Sequence, residues 1–218
     1  MKIEVRNVKP EELDEVVRVE EEAWPPELRA PREKFESRMG VHLDGFYEVY
    51  VDERLVGTST SICVNYKPGD IFDWGEITDN GYGRNHSVNG NALYVVSVGT
   101  SQAEYMRPIR EQLRMNGGKS LGTLLVEKQQ ELAKRLGKEY LVLTARIPGY
   151  RKYFEQNQSA TVEEYLKLTI QKDGRSEPYD PETRFYTRCG LQVASIIPNA
   201  EEDVDSMNYG IIMYWRVR

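Results

Sequence analysis

Two nearly unbroken apolar runs, residues 92–98 (ALYVVSV) and 140–144 (YLVLT), do most to limit what this chain can become. Runs of this kind suit strands buried on both faces. Between them Leu121, Leu124, Leu125, Leu132 and Leu136 recur at helical spacing, and Gly137 stands where a helix C′ residue is expected. Strand, helix and strand in that order form a βαβ-like unit. The helix is preceded by Asn116-Gly117-Gly118-Lys119-Ser120-Leu121-Gly122.

The remaining segments extend the pattern in both directions. Ile3 and Val5 alternate with charged residues and predict an edge strand; Pro10, Glu11 and Glu12 predict a helix start, with Leu13, Val16, Val17 and Trp24 on its apolar face. Residues 32–38 predict a second short helix, and 46–51 and 55–64 a hairpin turning at Asp52-Glu53-Arg54. Residues 67–91 read as a long ordered loop, and 101–115 as a polar connection. Residues 146–181 form an insertion with a weakly helical patch at 162–170 and a turn-rich stretch from Asp173 to Pro181. A short helix at 183–189 stopped by Gly190, then strands at 191–197 and 210–217, complete the chain. With no repeat or linker in view, the expectation is one α/β (α+β) domain over 1–218.

Composition narrows the function. Hydrophobic residues at 39% and charged residues at 29% give material for a core and argue against a disordered chain. A net charge of −6 argues against nucleic acid as a general partner, though a local basic patch is compatible with it. Cys63 and Cys189 are far apart in sequence, which predicts two buried thiols, no zinc site and no other metal. No stretch approaches a membrane span, and the N-terminus goes directly into strand-like alternation. The expected setting is soluble and cytoplasmic, with no membrane partner.

A helix start leaves backbone N–H groups unpaired beside the positive end of the dipole, and glycines allow an anion to approach them. Residues 117–122 therefore read as a phosphate site or, equally, as a tight turn with no ligand. Gly118-Lys119-Ser120 imitates the end of a nucleotide-binding P-loop, G-x-x-x-x-G-K-[ST], but Leu113 occupies the position of the first glycine. The motif is incomplete, and a P-loop NTPase is the weaker reading.

Taken together, the strand ending in Val96-Ser97-Val98, the glycine-rich turn, the leucine-lined helix and Arg184-Phe185-Tyr186-Thr187-Arg188-Cys189-Gly190-Leu191 resemble the GNAT N-acetyltransferase superfamily. The family signature F-Y-x-x-x-G-F is matched by Phe185, Tyr186 and Gly190, with Leu191 last. Its pyrophosphate loop, [RQ]-x-x-G-x-[GA], is matched at Gly122, with Gly117 and Ser120 departing from the pattern. Arg146-x-Pro148-Gly149-Tyr150, Glu164-Tyr165 and Asp180-Pro181 further resemble a GNAT subgroup sometimes fused to nitrilase-like hydrolases, and suggest an ordered insertion.

The resemblance implies a mixed, mostly antiparallel sheet flanked by helices, and direct acetyl transfer from acetyl-CoA to a primary amine of a small molecule or peptide. It implies CoA contacts from Val96, Ser97, Val98, Gly117, Gly118, Lys119, Ser120, Leu121, Gly122 and Thr123, and Tyr186 as the acid that protonates the leaving thiolate. The family often dimerises, which extends the expectation to a homodimer. Glu22, Glu76, His86 and Glu104 are candidate bases by type, and Trp24, Trp74, Tyr94 and Tyr150 are candidate pocket walls. A non-catalytic acyl-CoA-binding module is the alternative.

Overall fold

The computed structural model describes residues 1–172 and 174–218. Asp173, at the start of the turn-rich stretch, lies outside the described residues. β1 (Ile3–Asn7) leads through a single 3-10 turn into α1 (Leu13–Ala23), followed by α2 (Arg32–His42), β2 (Tyr47–Val51) and β3 (Arg54–Val64). Asp52 and Glu53, with φ of 46° and 68°, make the tight turn between β2 and β3, whose left-handed geometry matches the strand twist. The loop after β3 contains one short helix, α3 (Trp74–Thr78), N-capped by the Asp73 side chain.

β4 (Ala92–Thr100), α4 (Met106–Met115), α5 (Leu121–Arg135) and β5 (Tyr140–Arg146) form the predicted βαβ-like unit, with α4 as an addition. The insertion holds α6 (Tyr150–Gln156), α7 (Val162–Leu166) and a small hairpin of β6 (Thr169–Lys172) and β7 (Arg175–Pro178). The helical patch therefore stops at Leu166 and continues as a strand. α8 (Pro181–Arg188), β8 (Gln192–Ile197) and β9 (Gly210–Arg216) end the chain.

One seven-stranded sheet runs β1-β2-β3-β4-β5-β9-β8, antiparallel everywhere except between β4 and β5. Period-two alternation divides its core. Leu93 and Val95 pack with Leu121, Leu125 and Leu132 of α5 on one face, and Tyr94 and Val96 pack with Val142 and Ile212 on the other. A third cluster, including Val16, Val19, Phe35 and Phe46, joins α1 and α2 to the sheet. Cys63 is buried as expected, while Cys189 is half-buried; both are free thiols. Among the described residues no helix is long and apolar enough to cross a membrane.

The feature that positions the site is a split in the sheet. β4 and β5 pair only from Ala92↔Tyr140 to Val95↔Leu143. Beyond that point β4 stays paired with β3 as far as Thr100, and β5 stays paired with β9 as far as Arg146. The strands part without fraying. The β3–β4 register skips Val96, passing from Thr60↔Ser97 to Ser61↔Val95. A bulge of one extra residue re-aims the strand at the mouth of the split.

Candidate active site

Two cavities meet at Val98, one on each side of the split. The first, about 680 Å³, lies between β4, the α4–α5 turn and α8. Gly118, Ser120, Leu121, Gly122 and Thr123 line it, as do Val98, Phe185 and five cations: Arg110, Arg114, Lys172, Arg184 and Arg188. No carboxylate lines it among the described residues. The second, about 390 Å³, contains Val96, Ser97, Trp24, Trp74 and Tyr186, with seven carboxylates (Glu20, Glu27, Asp73, Glu182, Glu201, Glu202, Asp203) against four cations (Arg29, Lys34, Arg38, Arg146). An acidic chain thus builds one wholly cationic cleft beside a mainly acidic one.

The first cleft ends at the start of α5. The Ser120 hydroxyl caps the helix by accepting from the Thr123 N–H at 3.1 Å. The N–H groups of Lys119, Ser120, Leu121 and Gly122 have no acceptor among the described residues. A Cβ on Gly122 would lie 3.1 Å from the Phe185 ring, so this glycine lets the turn pack against the aromatic of the later motif.

Gly117 and Gly118 need a correction. α4, read from the sequence as a polar connection, ends on Gly117 at φ 63°. The Gly117 N–H donates to Arg114 O at 3.2 Å and the Gly118 N–H to Leu113 O at 2.8 Å. This is a helix-ending motif in which the glycine supplies the left-handed residue. Both amides are engaged and unavailable to a phosphate, although Gly118 still forms part of the wall. Lys119 turns to Glu127 at 2.7 Å and does not line the cleft.

On the other side of the split, Tyr186 is buried, and its hydroxyl has no hydrogen-bond partner among the described residues. Burial, with Glu182 and Cys189 adding to it, holds the phenol far above its ordinary pKa, so it keeps its proton at neutral pH. Glu182 precedes it by one helical turn on α8. Burial raises the Glu182 carboxyl to about 7; Arg146 opposes this shift while Asp180 and Asp203 add to it. Its Oε1 accepts from the Arg146 N–H at 3.2 Å, and Arg146 is itself clamped by Asp203 at 2.7 and 2.8 Å.

The four carboxylates and imidazoles favoured by type lie elsewhere. Glu22 is held by Arg18, Ser101 and Tyr105 at 2.5–2.7 Å, outside both cavities. Glu76 and Glu104 are exposed. His86 accepts from the Cys63 N–H at 3.0 Å and stacks on His42 at 4.5 Å. Of the four aromatics, Trp24 and Trp74 line the second cavity. Tyr94 instead bonds Thr144 at 2.8 Å in the core, and Tyr150 bonds Ala160 O in the insertion.

The spacing of His42, Cys63 and His86 gave no sign of a group, yet their ligand atoms lie within 4.8 Å of one another. His42 Nδ1 faces Ser61 O at 2.9 Å and so carries its proton there, while the His86 Nδ1 lone pair is taken by the Cys63 N–H. Burial lowers the proton affinity of both rings, and the Lys138 cation adds to it, against the opposing pull of Ser61 and Asp44 at His42. These bonds fix the orientation and the tautomer of each ring.

The second resemblance falls on a buried knot. Asp180 Oδ2 accepts from the Tyr165 hydroxyl at 2.9 Å and the Gly149 N–H at 3.1 Å; Oδ1 accepts from the Glu182 and Thr183 N–H groups and the Thr183 hydroxyl. A Cβ on Gly149 would stand 2.2 Å from the Tyr165 oxygen. The insertion is thereby fastened to the first turn of the helix that carries Glu182 and Tyr186.

The mixed, mostly antiparallel sheet flanked by helices is the arrangement implied by the GNAT motifs, and the chain has the GNAT fold. No family model matches it. It is similar to the Bacillus subtilis (strain 168) protein named uncharacterized N-acetyltransferase YkwB, 28% identical over 217 residues, covering 97% of this chain and 88% of that protein. It is also similar to the probable hydrolase YhcX of the same organism, 26% identical over 98% of this chain but only 38% of that protein. Among solved structures, the GphF GNAT-like decarboxylase in complex with isobutyryl-CoA matches with a TM-score of 0.75, 24% identity, and coverage of 99% of this chain and 100% of that one. The resemblance to the GNAT N-acetyltransferase superfamily holds in both sequence and fold.

Proposed function

We propose that this chain is an acetyl-CoA-dependent N-acyltransferase acting on a primary amine of a small molecule or peptide. The observation that carries the reading is the division of charge between two cavities that share Val98. The cationic cleft, with the free amides at the start of α5, suits the phosphates of CoA. The acidic cavity suits an amine. The split between β4 and β5 is the place where a thioester can pass from one to the other.

In this reading the free N–H groups of Ser120, Leu121 and Gly122 cradle the diphosphate, with Thr123 lining the wall beside them, and the backbone of Val96 and Val98 holds the acyl end and its developing oxyanion. Glu182 takes a proton from the amine, whose nitrogen attacks the thioester carbon. The new C–N bond forms, the C–S bond breaks, and the Tyr186 hydroxyl gives its proton to the departing thiolate. Glu182 replaces the four bases considered by type, because it alone of the five faces the acidic cavity beside Tyr186. The relatives support acyl-CoA chemistry: one is named an N-acetyltransferase, and a neighbour in fold was solved with isobutyryl-CoA. The relative named a probable hydrolase supports a place near the hydrolase-fused GNAT subgroup.

Calorimetric titration with CoA, followed by acetyl transfer to a panel of amines, tests the reading. Binding with turnover on at least one amine is expected. Binding with no turnover on any amine would favour a non-catalytic acyl-CoA-binding module. Absence of CoA binding would remove both.

A further inference from the structure

The acidic cavity contains one buried cation that, among the described residues, has no carboxylate ion pair. Arg38, on α2, is 3% exposed and lines the cavity. Its Nε donates to Gly81 O at 2.6 Å, and its Nη1 lies 3.4 Å from Thr60 Oγ1 and 3.3 Å from Ser97 Oγ. The Phe35 ring centroid is 5.1 Å from the guanidinium carbon. Nη2 has no acceptor, and no Asp or Glu oxygen forms an ion pair with the group, among the described residues. The carboxylate whose field reaches it, Glu20, accepts instead from the Ala30 N–H at 2.9 Å. Arg146 in the same cavity, by contrast, has its own bidentate partner in Asp203.

A buried guanidinium without a counter-charge is costly, and a guanidinium fork is shaped for a carboxylate. Burial lowers the Arg38 pKa only to about 10, so it remains charged at neutral pH. The contact with Ser97 sets it beside β4, next to the bulge at Val96 where the split opens. A doubly charged phosphate would meet Glu20, Glu182 and Glu201 across the cavity, whereas a single carboxylate accompanied by an amine matches both signs.

Building on the reading that this cavity receives a substrate, we propose that Arg38 is a carboxylate receptor and that the molecule filling the cavity bears a carboxylate. That carboxylate belongs either to the acceptor, as in an amino acid or peptide terminus, or to the end of the acyl chain.

The test is calorimetry on the full chain, independent of turnover. One arm compares leucine and lysine with their carboxamides; the other compares succinyl-CoA with butyryl-CoA. The acid is expected to bind at least about 10-fold more tightly than its neutral counterpart on one arm, which names the source. Arg38→Met should erase that preference while leaving the affinity for CoA itself unchanged, and Arg38→Lys should retain part of it. Circular dichroism and thermal melting establish that each variant is folded; if Arg38→Met does not fold, the comparison of wild type with Arg38→Lys decides between the outcomes. No preference on either arm, or a preference that survives Arg38→Met, overturns the proposal. Loss of CoA binding by the wild type would instead strike the acyl-CoA reading of the other cleft, and leaves the amino-acid arm readable.

Discussion

The helices α5 and α8 touch through Gly122 and Phe185, yet their first turns are completed in opposite ways. At α8 the Asp180 carboxylate sits on the N–H groups of Glu182 and Thr183, and its other oxygen ties in the insertion. At α5 a neutral hydroxyl, Ser120, satisfies the Thr123 N–H, and the amides before it face an open cationic cleft. A helix start attracts negative charge in either case. Where the chain supplies the charge itself, the result is a fixed scaffold. Where it withholds the charge, the result is a seat suited to a ligand's phosphate.

Breaking the α8 side should have the largest effect. Asp180→Ala removes five hydrogen bonds in a buried site and should cost about 3 kcal/mol of stability, read as a lowered denaturation midpoint at unchanged slope. A loss well under 1 kcal/mol would show that the insertion does not depend on this knot.

Tyr186→Phe keeps the ring and removes the proton, so kcat should fall about 10-fold or more while CoA affinity stays nearly constant. An unchanged kcat would take Tyr186 out of the mechanism. The pH profile probes its neighbour. With the Glu182 carboxyl raised to about 7, its base form accumulates as pH rises, so kcat/KM should climb through that value. Glu182→Gln should flatten this limb and lower the plateau. The stability sign runs the other way. The folded chain holds this proton more tightly than the unfolded one, so the contribution is full below about 4.5 and is lost as pH rises through about 7. A wild-type profile flat from pH 6 to 8 would exclude Glu182 as the base.

Gly117→Ala separates cap from cradle. Its φ of 63° makes any side chain unfavourable, and a loss of about 1 kcal/mol of stability is expected. CoA affinity should not change, because the amide already serves Arg114. A tenfold weaker Kd would return Gly117 to the phosphate site.

These contrasts are unevenly visible in the amino-acid order. β4, β5 and α5 are long and strongly periodic, and their existence and sequence can be read directly. α4 escapes such a reading because Met106, Ile109 and Leu113 are thinly spaced among arginines, and its capping glycine looks like part of a phosphate turn. The α8 helix and Tyr186 are found through a motif. Glu182 is not, because a base is defined by which cavity it faces and by its burial, and both depend on residues far away in sequence. The same holds for Arg38, whose significance lies in a missing partner, and for the split sheet, which exists only as a comparison of three registers.

The central claim is that the α5 start is left without charge so that a diphosphate can supply it. Ser120→Asp tests this most directly, because aspartate is as good an N-cap as serine and makes α5 begin as α8 does. The account predicts a folded protein with unchanged or slightly higher stability whose calorimetric Kd for CoA is at least about 10-fold weaker than wild type. Wild-type affinity for CoA in a well-folded Ser120→Asp protein would contradict it.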